Sequence, residues 1–154
     1  MSKIHKLHRE QVVKTDIDTA WDFIRSPQNL KKLTPDNLSF EIVTDLPDKM
    51  YNGLLIEYQI GIPLVGKQSW LTEIKYVRER HSFVDEQRLG PYKLWYHYHK
   101  IQPEDEGVRF IDEVHYALPL GPLGTIAHAL YVRKTLRHVF NYRERMIPRL
   151  LEST

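Results

Sequence analysis

The 154-residue chain predicts a single α+β domain, residues 1–154. A strongly curved antiparallel sheet carries two short helices, and one long C-terminal helix encloses a cavity against it. Three observations lead there. From Thr125 to about Glu152 there is no Gly and the only Pro is Pro148, while Ala129, Val132, Leu136, Val139, Phe140, Ile147 and Leu150 recur at helical spacing. The preceding stretch, from Leu38 to Ala117, reads almost entirely as strands. The breaks between those strands are short, and parallel neighbours would need crossovers of about a dozen residues or more. At about 1.5 Å per residue the terminal helix is roughly 40 Å long, enough to cross a whole sheet. A single diagonal helix need not pack flat on a curved sheet, and the gap can hold a ligand.

The elements follow in order. Residues 3–13 form a first strand, although their alternation is poor. Asp18 caps a short helix, Thr19–Arg25, that buries Trp21 and Ile24. Ser26-Pro27 opens a second short helix with Pro at its first position, Leu30 and Leu33 share one face, and Thr34-Pro35 ends it. Leu38, Phe40 and Ile42 alternate, as do Leu54, Ile56, Tyr58 and Ile60 after the turn Asn52-Gly53. Gln68, Trp70, Thr72, Ile74 and Tyr76 form one face of a longer strand. Ser82–Leu89, Leu94–Ile101 and Arg109–Ala117 complete the sheet. The breaks are Gly61-Ile62-Pro63, Gly90-Pro91, Pro103–Gly107 and Pro119–Gly124.

Composition excludes several classes. Net charge is +2, so nothing drives the whole chain toward nucleic acid. Without Cys there is no disulfide, thiol nucleophile or zinc ribbon, which fits a reducing, cytoplasmic setting. The N-terminus lacks the apolar core of a signal peptide, and no apolar run is long enough to span a membrane. No GxSxG, HExxH, P-loop or dinucleotide-binding fingerprint occurs, so an enzyme here would work by positioning and acid/base help.

The stretch Ile17-Asp18-Thr19-Ala20-Trp21-Asp22-Phe23-Ile24, through Leu30 to Thr34-Pro35, resembles the opening helix pair of the START-like (SRPBCC) superfamily. That group includes birch-pollen-allergen-like proteins, polyketide cyclases and lipid-transfer domains. Asp85, Gln87, Gly90-Pro91-Tyr92, Trp95, His97, His99, Asp112, Tyr116, Leu118-Pro119-Leu120-Gly121, Phe140 and Tyr142-Arg143 are similar to a bacterial ligand-binding or cyclase/dehydrase-like subfamily. The resemblance covers nearly the whole chain and implies the helix-grip fold. It leaves the chemistry open, because the scaffold hosts binders, carriers and enzymes.

Trp95, His97 and His99 share one strand face. They form a polar spot in an apolar pocket, a pair of metal ligands, or a hydrogen-bonded sheet face. A cupin-like site built with Glu104 is excluded. Its second motif would need a His where Gly124 stands, so neither metal nor cofactor is expected. Asp112 sits on an otherwise apolar face and needs a partner, with His97, His99, Gln87, Tyr116 and Arg143 in reach. With His97 it is a candidate catalytic pair, or else part of a structural network. Asp85 and Gln87 put polar groups on a mixed face. Arg143 lies beside the helix's apolar stripe, facing a buried acid or a ligand. Gly121–Gly124 reads as a helix-entry turn. Arg133, Lys134, Arg137, His138, Arg145 and Arg149 make a basic helix face, either solvated or suited to transient contact with a membrane surface.

These readings converge on binding, transport or sequestration of a small hydrophobic molecule, such as a lipid, quinone, polyketide or aromatic metabolite. The ligand-binding residues expected are Gln87, Trp95, His97, His99, Asp112, Tyr116, Phe140 and Arg143, with entry through Gly61–Gly66 and Gly90–Tyr92. A cyclase/dehydratase-type enzyme using the same cavity and a ligand-free interaction module are the alternatives.

Overall fold

The structure is a computed structural model describing residues 2–62 and 65–152, so Pro63 and Leu64 of the expected entry loop lie outside the described residues. Seven antiparallel strands form one sheet in the order β2-β3-β4-β5-β6-β7-β1. They are β1 (Ile4–Val13), β2 (Glu41–Ile42), β3 (Leu55–Ile62), β4 (Gly66–Arg78), β5 (Ser82–Leu89), β6 (Leu94–Glu104) and β7 (Gly107–Ala117). Between β1 and β2 lie α1 (Ile17–Ile24), α2 (Asn29–Lys32) and a 3-10 turn (Asp36–Leu38). After β7 the chain runs through α3 (Gly121–Ala127), a π-helical turn (His128–Val132) and α4 (Arg133–Glu152) without a break.

Several expectations need correcting. Asp16, not Asp18, caps α1: its Oδ1 accepts from the Thr19 backbone N–H at 2.9 Å. Asp18 is drawn off to Arg80. The Ser26 side chain caps nothing; its hydroxyl donates to Gln28 Oε1 at 2.7 Å, and α2 starts only at Asn29. The strand expected from Leu38 shrinks to two residues, because Ser39 adopts a left-handed backbone (φ 48°) and throws Leu38 into the preceding turn. Tyr76 likewise leaves its expected face. Its φ of 53° marks a bulge between Lys75 and Arg78, so Tyr76 turns to solvent and Val77 packs inward. The terminal helix begins at Gly121, four residues before the expected Thr125, and passes through Pro148.

The convex face of the sheet is polar. Lys6–Glu113 (3.2 Å), Lys75–Glu86 (2.7 Å), Arg109–Glu10 (3.0 Å) and Arg109–Glu104 (2.6 Å) run across it as cross-strand pairs. Apolar side chains therefore collect on the concave face, in two groups. One lies under α1 and the end of α4, with Trp21, Ile56, Ile74, Phe83, Ile101, Phe110 and Ile147. The other lies under the start of α4, with Trp70, Trp95, Val114, Tyr116, Leu136 and Phe140.

Gly107 opens β7 where a side chain cannot go: at φ 148°, an added Cβ would stand 2.0 Å from the Val13 carbonyl oxygen. Gly53 (φ 87°) has open space around it. Gly53→Ala should therefore cost only the left-handed strain, about 1–2 kcal/mol. Gly107→Ala must also part β1 from β7 and should cost clearly more, as read from urea midpoints. Equal losses would show that the strand end yields freely.

Candidate functional site

The two apolar groups are separated by a row of five polar side chains from four elements that cross between them. On β6, His97 and His99 lie between Trp95 and Ile101; on β7, Asp112 lies between Phe110 and Val114. On β5, Asp85 follows Phe83, and on α4, Arg143 falls between Phe140 and Ile147. Strand alternation and helical periodicity put all five on the inner side, and the register brings them together: Asp85 pairs with His97, and His99 with Asp112.

The result is a closed box of charge. His97 Nε2 reaches Asp112 Oδ1 at 2.8 Å, and His97 Nδ1 reaches Asp85 Oδ2 at 3.2 Å. His99 Nε2 contacts the same Asp85 oxygen, while Trp95 Nε1–H donates to Asp85 Oδ1 at 3.1 Å. Arg143 Nε–H donates to Asp112 Oδ2 at 3.1 Å, and its Nη2 stands 3.4 Å from His99 Nδ1. The two imidazoles stack with centroids 3.6 Å apart, and Phe83 stacks on the other face of His99 at 4.3 Å.

Electrostatics divide the histidines. Burial opposes charge on His97, but the carboxylates of Asp85 and Asp112 outweigh it and raise its pKa. Burial and the neighbouring His97 lower His99 to about 4. Burial works against ionising Asp85, yet His97 and His99 hold it well below the usual carboxylate range. Burial opposes ionisation of Asp112 too, and there Arg143 and His97 prevail. An assignment that satisfies the whole box makes His97 an imidazolium donating both N–H groups. His99 is then neutral, donating from Nε2 to Asp85 and accepting from Arg143 at Nδ1.

Beside this box lies a cavity of about 530 Å³ between the sheet, α1–α2 and the terminal helix. Trp95, His97, His99, Phe140 and Arg143 line it, together with Asp85, Tyr58, Trp70 and Leu136. Of its lining residues, Val65, Leu120, Leu123, Ala127 and Tyr131 are exposed, so it opens between Val65 and the start of the terminal helix.

The other three expected site residues stand elsewhere. Asp112 is buried behind His97 and Arg143. Gln87 clasps the β5–β6 loop, its Nε2 donating to Tyr92 O at 2.7 Å and its Oε1 accepting from Tyr92 N at 3.1 Å. This seats the Tyr92 ring against Trp70, Trp95 and Tyr116 at 5.4, 4.9 and 6.0 Å. The Tyr116 hydroxyl is 2.7 Å from His128 Nε2, in a second, basic groove between β1 and the helix. Sequence reasoning noted Asp85 only as a polar residue on a mixed face, and missed that it joins both histidines. Trp70 and Tyr58 gave no signal beyond alternation. The basic residues Arg133, Lys134, Arg137, His138, Arg145 and Arg149 are all exposed. Among the described residues no helix is long and apolar enough to cross a membrane.

No family model and no curated protein matches the chain. Solved structures do. A Thermus thermophilus protein superposes with a TM-score of 0.73 at 15% identity, over 97% of this chain and 98% of that one. Norcoclaurine synthase from Thalictrum flavum, in complex with dopamine and hydroxybenzaldehyde, gives 0.64 at 14% identity over 95% and 87%. Ara h 8.0201 gives 0.64 at 15% identity over 99% and 100%. The fold is therefore the helix grip that these structures share, a curved antiparallel sheet closed by a long C-terminal helix.

Proposed function

We propose that the protein binds a small hydrophobic molecule, such as a lipid, quinone, polyketide or aromatic metabolite, to carry or sequester it. The cavity supports this reading. Its volume lies within the range of about 300–1,000 Å³ common for small-molecule sites. Its wall is mainly apolar and aromatic, and Asp85, His97, His99 and Arg143 form its charged strip. Burying about 200 Å² of ligand apolar surface contributes roughly 5 kcal/mol, while the polar strip orients one polar end. Norcoclaurine synthase, which shares the fold, has been solved with two small aromatic molecules.

Trp70 and Trp95 line the cavity and Trp21 does not, so intrinsic fluorescence reports occupancy. Anilinonaphthalene sulfonate should quench the tryptophan emission saturably at one equivalent. Trp70→Phe combined with Trp95→Phe should remove most of that signal, and Trp21→Phe should leave it. Native mass spectrometry of protein from its own host should show a retained small molecule. If neither the dye nor a host molecule binds, the cavity is not a binding site and the interaction-module reading takes its place.

A second reading, a cyclase/dehydratase-type enzyme, draws on the His97–Asp112 contact beside the cavity. Asp112→Asn and His97→Ala should then abolish turnover of a bound polyketide-like substrate while binding persists. Unchanged turnover in both variants ends that reading.

A further inference from the structure

We infer that Asp85, His97 and His99 form a binding site for one divalent first-row transition metal ion at the inner end of the cavity. This goes beyond hydrophobic binding and does not depend on it. It also departs from the expectation of no metal, which weighed only Glu104, downstream of the His-x-His pair, as a third donor. Glu104 is engaged by Arg109 at 2.6 Å; the third donor comes from upstream, on the neighbouring strand.

The donors converge. One atom from each of the three side chains lies within 4.8 Å of the other two. His97 Nδ1 and Asp85 Oδ2 are 3.2 Å apart, close to the spacing of two ligands that share one ion at about 2.0–2.2 Å each. His99 Nε2 faces the same oxygen and has only to draw back slightly. Two imidazoles and one carboxylate on one side, with the rest of the coordination sphere open, is a donor set that suits Zn²⁺, Fe²⁺ or Co²⁺.

The surroundings match that use. A histidine ligand normally donates its other ring N–H to a carboxylate or carbonyl, which fixes the ring and raises its basicity. His97 does so through Nε2 to Asp112 Oδ1 at 2.8 Å. His99 Nδ1 lies 3.4 Å from Arg143 Nη2 and 3.5 Å from Asp112 Oδ1, so these two side chains seat the far edge of its ring. Arg143 holds the other oxygen of Asp112, and Trp95 holds the free oxygen of Asp85. Each donor residue therefore has a neighbour oriented to fix it. Among the described residues no other group of three such donors converges in this way.

Charge then indicates what occupies the open position. Two buried carboxylates face one guanidinium, so these three side chains carry one net negative charge. A divalent ion bound through neutral imidazoles leaves the box one charge positive in a setting with little water. An anionic oxygen on the cavity side offsets it, so the fitting ligand has an apolar body and a carboxylate, enolate, phenolate or hydroxamate head.

Chelator-treated protein titrated with Co²⁺ should take up one equivalent and develop the visible d–d bands of a four- or five-coordinate centre. Acetohydroxamate should shift those bands. Asp112→Asn, which touches both histidines without donating to the ion, should weaken uptake roughly 10–100-fold. The combined His97→Gln and His99→Gln substitutions should abolish it. Absence of such bands in the wild-type protein overturns the inference without recourse to any variant. So does uptake that survives the double substitution, which would place the ion outside this cluster. Bands that do not respond to acetohydroxamate overturn the open position. Dye binding to the cavity is read separately and stands or falls alone.

Discussion

Arg143→Met should cost about 3–5 kcal/mol of folding stability, the range for breaking one side of a buried ion pair. The guanidinium and the Asp112 carboxylate are only 11% and 10% exposed, and they meet at 3.1 Å. Without Arg143, two buried carboxylates share the single proton on His97, and one charge is left uncompensated. A typical domain is stable by about 5–15 kcal/mol, so the variant should sit close to unfolding. Asp112→Asn keeps an acceptor for His97 while removing the stranded charge. Combined with Arg143→Met, it should recover a substantial part of the loss, giving a favourable interaction energy in a double-mutant cycle. Urea unfolding of the four proteins checks this. A loss below about 1 kcal/mol for Arg143→Met, the value of a solvated surface pair, would falsify the account of the box as a buried charge network.

The box shows how far the sequence carried. Individual side chains were legible: Trp95, His97 and His99 share a face because strands alternate, and Asp112 and Arg143 stood out as charges on apolar faces. The long helix was legible for the same reason, through the spacing of Leu136, Phe140 and Ile147. What the chain does not show is which residues meet across strands. That Asp85 faces His97 depends on the β5–β6 register, and Tyr76 and the Gln87–Leu89 step both break regular pairing nearby. Gln87 shares a strand face with Phe83 and Asp85, which line the cavity, and Tyr116 shares one with Asp112, which stands behind it. Their polar ends were taken by Tyr92 and His128, partners set by loop closure and helix docking. The α1 cap failed for a local reason: Asp16 and Asp18 carry the same chemistry two residues apart, and only the backbone path separates them.

Trp21→Ala should cost about 3–5 kcal/mol, or roughly 6–20 °C in Tm for a chain of this size. Trp21→Phe should cost far less. The indole is 1% exposed and fills the space between α1 and the sheet, so truncation leaves a void that backbone relaxation closes only in part. Its Nε1–H, however, has no hydrogen-bond partner. Phenylalanine keeps most of the packing and removes a buried donor whose desolvation costs about 1–3 kcal/mol, which offsets much of the lost area. The effect should also reach the cavity, which Trp21 does not line. Trp21 meets Phe83 edge-on at 6.4 Å, and Phe83 stacks on His99. With alanine behind it, Phe83 can drop back and His99 loses the ring that seats it. Dye affinity should therefore fall in Trp21→Ala and hold in Trp21→Phe. Equal stability losses in the two variants would mean that the unpaired indole N–H costs nothing. Undiminished dye affinity in Trp21→Ala would mean that α1, packed on the concave face, does not hold the polar strip in place.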